Sequence, residues 1–259
     1  MRDARRLAGM DSPRPSVVFL DVGDTLIRAH PSWSAVYLRV LREHGVPVEE
    51  AELRAALDRV FRSPQPDLEG PFEASEAASF QRLVEFDSRV LAQLGHPPQP
   101  EAFYRSLEGE FAQVGAWWVY EDTPVALAAL QGAGFRLCVI SNWSWALPEL
   151  LHTLDLVGHF EAIVTSARVG YEKPHRGIFE HALDVMGVAP AEAWHVGDSV
   201  RADVGGATAV GIRPVLIARG PHDHDHSPAA PDHGAPVIGD LYGLLDLLGV
   251  ARPAAESVS

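Results

Sequence analysis

Between residues 123 and 218 the chain repeats one unit: a short apolar run, a polar break, then about ten residues with apolar positions at helical spacing. Phe135-Arg136-Leu137-Cys138-Val139-Ile140, Ala162-Ile163-Val164-Thr165, Ala193-Trp194-His195-Val196 and residues 214–218 predict buried strands. Residues 124–131, 147–154, 178–186 and 201–210 predict the helices between them. Strands joined through helices run parallel, so the pattern predicts an α/β fold with a doubly wound parallel sheet. Val17-Val18-Phe19-Leu20 supplies one more buried strand ahead of this series.

Residues 28–115 interrupt the rhythm and contain no predicted strand. Residues 32–45 place Trp33, Val36, Tyr37, Val40 and Leu41 at helical spacing, with Gly45 suited to the stop. Residues 49–61, 75–94 and 100–111 predict three further helices, with a Pro/Gly-rich connection over 63–71. The expected organisation is a disordered lead-in (1–16), an α/β core (17–27 and 116–250), an all-helical cap inserted after the first strand (28–115), and a tail (251–259). Within the core, residues 221–236 hold four of the twelve histidines among Pro and Ser; a mobile surface loop is expected there rather than a metal-binding tract. Residues 238–248 predict a last helix.

The formal net charge of −14 argues against nucleic acid and against an anionic membrane surface as partners. No apolar stretch approaches membrane-spanning length, and residues 1–16 lack a signal-peptide core. A single cysteine, Cys138, lies inside a predicted strand, so no intrachain disulfide forms and a buried core thiol is expected. Together these predict a cytoplasmic protein acting on a small molecule.

Three strand ends carry the chemistry. Asp21-Val22-Gly23-Asp24-Thr25 follows the first strand, Ser141-Asn142 follows the second core strand, and Gly197-Asp198-Ser199, with Asp203 further along, follows a later one. Parallel strands bring these ends to one edge of the sheet, where open α/β sheets bind ligands. Asp21, Asp198 and Asp203 then form an all-oxygen cluster suited to a hard divalent cation such as Mg²⁺, which offsets their mutual repulsion. Lys173, in Gly170-Tyr171-Glu172-Lys173-Pro174, is placed to add a second positive charge.

In these motifs, in this order, from Val17 to about Leu248, the chain resembles the haloacid dehalogenase-like (HAD) hydrolases whose helical cap follows the first strand. The pattern around Asp21 looks like a branch near the HAD-like hydrolase domain-containing protein 3 group. The resemblance implies a HAD-type Rossmann-like core and a Mg²⁺-dependent phosphatase of a small phosphorylated metabolite. It implies that Asp21 is the nucleophile, forming an aspartyl-phosphate, and that Mg²⁺ is held by Asp21, the Gly23 carbonyl and Asp198, with Asp203 in support. It further implies that Ser141 and the Asn142 backbone N–H bind a phosphoryl oxygen, and that Lys173 pairs with Asp21 and the phosphoryl group.

One position departs from the family pattern. Family phosphatases carry an acid/base aspartate two residues after the nucleophile, where this chain has Gly23. Asp24, one residue later, is expected to point away from Asp21 in extended backbone. The departure implies good leaving groups, or a proton donor from elsewhere, with His30 and His44 near in sequence. Two alternatives follow: a 2-haloacid dehalogenase-like hydrolase using Asp21 on carbon of a halogenated molecule, and a catalytically weak HAD-fold binding protein. Trp33, Tyr37, Trp117 and Trp118 are expected in the core, whereas Trp143 and Trp145 are expected at the mouth of the cleft.

Overall fold

The computed structural model describes residues 14–63, 71–220 and 234–252. Its central sheet has six strands in the order β5-β4-β1-β6-β7-β8, all paired in parallel. These strands are β1 (Val17–Leu20), β4 (Arg136–Ser141), β5 (Ala162–Thr165), β6 (Ala193–Gly197), β7 (Arg213–Ile217) and β8 (Val237–Ile238). From β1 the chain builds outward through β4 and β5, then returns to the other side of β1 for β6, β7 and β8. The crevice therefore opens between β1 and β6, at the topological switch point.

Both faces of β1 are buried, which is why its sequence is continuously apolar rather than alternating. Val18 and Leu20 join one apolar cluster with Leu137 and Val139; Val17 and Phe19 join the opposite one with Cys138 and Ile140. Each such side chain contributes roughly 1.5–3 kcal/mol by leaving water. Cys138 is buried as expected, and desolvation pushes its thiol up to about 12.

Helices cover the sheet: α5 (Asp122–Gly132), α6 (Leu147–Thr153), α7 (Ser166–Val169), α8 (Arg176–Met186), α9 (Gly206–Ala209) and α10 (Leu241–Leu248). The stretch expected as one helix over 201–210 is a π-helical turn, Val200–Gly205, continued by α9. The last helix starts at Leu241, because Val237 and Ile238 extend the sheet beside β7 instead.

After β1 the chain forms four helices: α1 (Trp33–Glu43), α2 (Glu50–Arg62), α3 (Glu76–Gln93) and α4 (Glu101–Phe111). Ser32 and Ser75 cap α1 and α3 by accepting from Ala35 N–H and Ala78 N–H. Their inward faces share a separate apolar core that includes Leu53, Leu57, Leu91, Phe103 and Leu107. Within it lies a buried polar pair, Tyr37 Oη donating to Asp87 Oδ1 at 2.6 Å. A cavity of about 10 Å³ touches both residues.

The expectation of no strand over 28–115 needs one correction. β2 (Ile27–Ala29) pairs antiparallel with β3 (Trp117–Val119), so the two strands joining the helical insert to the core are zipped together. Three-residue strands carry too little period to be seen in a sequence. Residues 1–13, most of the 221–236 loop and residues 253–259 lie outside the described residues. Ser16 is already part of the fold, its N–H bonded to Glu192 O.

Candidate active site

The chain leaves β1 at Leu20, which lies level with Val139 of β4 and Val196 of β6. Asp21 N–H donates to Val196 O at 2.9 Å, which fixes the first residue past the strand. The turn then closes tightly: Leu26 and Ile27 N–H groups return to Val22 O, and Asp24 N–H bonds Ile27 O. Asp24 takes a left-handed conformation, φ 52°, which a short polar side chain tolerates better than most. The extended alternation expected for Asp24 therefore does not hold. Its carboxylate is near enough to raise the proton affinity of both Asp198 and Tyr120.

The predicted residues converge. Ser141 Oγ, at the end of β4, donates to Asp21 Oδ1 at 2.8 Å. Lys173 Nζ donates to the same Oδ1 at 2.6 Å and to Asp203 Oδ1 at 2.6 Å. Carboxylate oxygens of Asp21, Asp198 and Asp203 lie within 4.8 Å of one another. Asp21, Ser141, Lys173 and Asp203 are buried, while Asp198 is partly exposed. Asn142 has a structural task that its sequence position does not advertise. Its carboxamide accepts from Lys173 N–H at 2.7 Å and donates to Lys173 O at 3.0 Å, so the loops after β4 and β5 are locked together.

Asp203 sits in the π-helical turn after β6, with Ser199 as its N-cap. Its Oδ2 accepts Ser199 N–H, and its Oδ1 bonds Lys173 and His195 Nε2, the latter at 2.8 Å. A side chain on Gly197 would collide with this carboxylate, since an added Cβ would lie 2.2 Å from its Cγ. Sequence reasoning missed His195, which is fully buried in β6. A polar residue inside an apolar strand, two residues before Gly197-Asp198, was the available signal.

The electrostatics separate the carboxylates. Burial raises the proton affinity of every acid here, but Lys173 and His195 outweigh it at Asp203, which is held below the ordinary carboxylate range. At Asp21, desolvation exceeds the help from Lys173 and the group is raised. Asp198 is raised well above the ordinary value by burial and by the charges of Asp21, Asp203 and Asp24. Burial alone would favour a neutral Lys173, yet Asp203 and Asp21 hold its ammonium above the usual range. One ammonium thus faces a group of acids that it does not balance. The donor set is all oxygen, compact and short of positive charge, which fits a hard divalent cation and no soft one.

A second brace lies behind the nucleophile loop. Arg219 donates to Thr25 O and to the buried carboxylate of Asp122, and its guanidinium stacks over Tyr120. Asp122 also accepts Leu241 N–H. Of the aromatic residues, Tyr37 and Trp117 are buried in the cores as expected, Trp33 is half-buried against both cores, and Trp118 is 45% exposed. Trp143 lies over Gly23: a Cβ added there would sit 3.3 Å from its ring. His44 bonds Ser106 and packs on Phe103, and His30 packs on Trp118.

A family model described as haloacid dehalogenase-like hydrolase matches residues 15–211, spanning every motif residue above. The chain belongs to this family. Among its relatives, the haloacid dehalogenase-like hydrolase domain-containing protein 3 of Mus musculus is 31% identical over 241 residues, covering 90% of this chain and 94% of that protein. The phosphoserine phosphatase of Thermus thermophilus is 29% identical over 234 residues, covering 82% and 93%. The HAD-hydrolase YfnB of Bacillus subtilis, solved with magnesium bound, shares the fold with a TM-score of 0.71 at 18% identity, covering 92% of this chain and all of that one. This HAD-superfamily chain is therefore a hydrolase with phosphatase homologues.

Proposed function

We propose that the chain is a Mg²⁺-dependent phosphohydrolase of a small phosphorylated metabolite, working through an aspartyl-phosphate on Asp21. The observation that carries this reading is the convergence of Ser141 and Lys173 on one oxygen of Asp21, with carboxylate oxygens of Asp198 and Asp203 within 4.8 Å. Both donors go to Oδ1, which orients Oδ2 for attack on phosphorus. The bond from phosphorus to the leaving oxygen breaks, and that oxygen departs with its electron pair. Water then attacks phosphorus, the bond to Oδ2 breaks, and phosphate is released with the water's proton passed to solvent.

Asp21, the Gly23 carbonyl and Asp198 would hold the ion, with Asp203 in support. When bound, Mg²⁺ supplies charge neutralisation for the attacking carboxylate and the phosphoryl oxygens. Ser141 and the Asn142 backbone N–H bind a phosphoryl oxygen, and Lys173 pairs with the transferred group. With Gly23 at the position of the family's acid/base aspartate, aryl and acyl phosphates should react faster than alkyl ones.

The test is phosphate release from p-nitrophenyl phosphate. The reading predicts turnover that disappears with EDTA and with Asp21→Asn. One observation favours a second reading: the ring of Trp143 beside Gly23 gives the cleft an aromatic wall next to the nucleophile. Metal-independent halide release from a 2-haloacid, without phosphate release, would select attack on carbon instead.

A further inference from the structure

Apart from the β2–β3 stem and the residues beside it, α3 and the run just before it reach the core through three hydrogen-bonded grips among the described residues, all on the two loops that carry Asn142 and Lys173. Ser79 and Arg82 are three residues apart on α3 and so share one face of the helix. Ser79 Oγ accepts Trp145 N–H at 3.0 Å, and Arg82 Nη2 donates to Glu172 Oε1 at 2.5 Å. Just before the helix, Phe72 N–H donates to Gly170 O at 2.8 Å. The guanidinium of Arg82 also lies over the Phe72 ring, 3.8 Å from its centroid. The backbones approach so closely here that a Cβ on Gly170, whose φ is +84°, would sit 2.5 Å from Phe72 O.

The core partners are Trp145, three residues past Asn142, and Glu172, the residue before Lys173. These loops are joined to each other by the reciprocal Asn142–Lys173 bonds and by Arg168 Nε donating to Trp145 O at 2.9 Å. None of the three grips involves the loops that bear Asp21, Asp198 or Asp203. The grips of α3 therefore lie on the ammonium side of the site, while Val36 of α1 joins the apolar cluster of Val22 and Leu26 in the Asp21 loop.

We propose that Arg82 and Glu172 form a clasp that makes the seating of Lys173 depend on docking of the helical insert, so that both are positioning residues. The pair is partly exposed, at 26% and 20%, which suits a contact that opens and closes. Arg82 combines two contacts that lysine copies poorly together, an N–H bond to the Glu172 carboxylate and a guanidinium over the Phe72 ring.

Amide hydrogen exchange of the full chain tests the clasp without any assumption about substrate; its kinetic arm rests on the phosphohydrolase reading. In Arg82→Gln and in Glu172→Gln, peptides covering residues 142–147 and 170–174 should exchange about fivefold faster or more. Peptides covering 17–22 and 198–204 should be unchanged. With p-nitrophenyl phosphate, each variant should lose about 5–20-fold in kcat with KM within about twofold. The double variant should be no worse than the poorer single, and Arg82→Glu with Glu172→Arg should recover part of the loss. Unchanged exchange in the two loops, or equal acceleration in all four regions, would overturn the clasp. So would loss of kcat that is additive in the double variant. Wild-type protein without turnover, but with the predicted exchange pattern, would overturn the phosphohydrolase reading and leave the clasp standing.

Discussion

The α/β core and the helical insert each bury acid, and they deal with the charge differently. In the insert, Asp87 is buried beside an apolar core with Tyr37 as its hydrogen-bond donor. Burial raises Asp87 to about 7 and holds Tyr37 above its ordinary range, so a proton neutralises the site near neutral pH. In the core, Asp21, Asp198 and Asp203 are crowded together around a buried ammonium. Protonation can quiet an isolated acid, whereas a cluster that keeps one carboxylate strongly ionised beside a cation is arranged to hold charge. The comparison separates a structural acid from a chemical one more clearly than burial does, since both are buried.

The largest expected effect breaks the chemical side. Asp21→Asn should lower phosphate release by about 10³-fold or more while leaving the far-UV spectrum intact, checked by steady-state kinetics and circular dichroism. Next, Lys173→Met leaves the carboxylates without their built-in counter-charge. It should destabilise the fold by about 3–5 kcal/mol in EDTA, and Mg²⁺ should raise its Tm more than it raises that of wild type. Equal Mg²⁺ shifts in the two proteins would break the contrast between the regions.

Asp87→Asn tests the structural side. Asp87 has a higher pKa folded than unfolded, so the native state binds more protons between about 4 and 7. Its stabilising contribution is present below the unfolded value and is lost as pH rises through about 7. Asparagine keeps an acceptor for Tyr37 without the charge. The variant should gain about 1–4 kcal/mol over wild type at pH 8 and little at pH 5, read by urea denaturation at both pH values. The smallest effect concerns Gly23. Because Trp143 stands tight against that position, Gly23→Asp alone should change the rate on an alkyl phosphate by less than about tenfold. Adding Trp143→Ala should let the new carboxyl turn toward the leaving oxygen and raise the rate further, measured against the same ester.

The strand series and the order of the motifs were legible in the sequence because buried parallel strands are continuously apolar and end in polar residues at one sheet edge. Asp21, Ser141, Lys173, Asp198 and Asp203 were found that way, and they meet. The strands at 27–29, 117–119 and 237–238 were not legible, since two or three residues show no period. The conformation of Asp24 was hidden as well, because the turn closes through backbone bonds that any sequence could make. His195 and the Asp122–Arg219 brace depend on residues far apart in the chain, or on neighbours across strands, which local patterns do not report. The carboxamide of Asn142 illustrates the same limit: its position was noticed, while its hold on Lys173 needed the fold.

The central claim is that Asp21 attacks phosphorus with the carboxylate cluster charged by Mg²⁺. Rapid acid quench during turnover of acetyl phosphate, followed by mass analysis of the peptide carrying Asp21, tests it most directly. The account predicts a phosphoryl adduct on Asp21 that requires Mg²⁺ and is absent in Asp198→Asn. Turnover with no adduct on Asp21, or an adduct that forms equally well in EDTA, would contradict it.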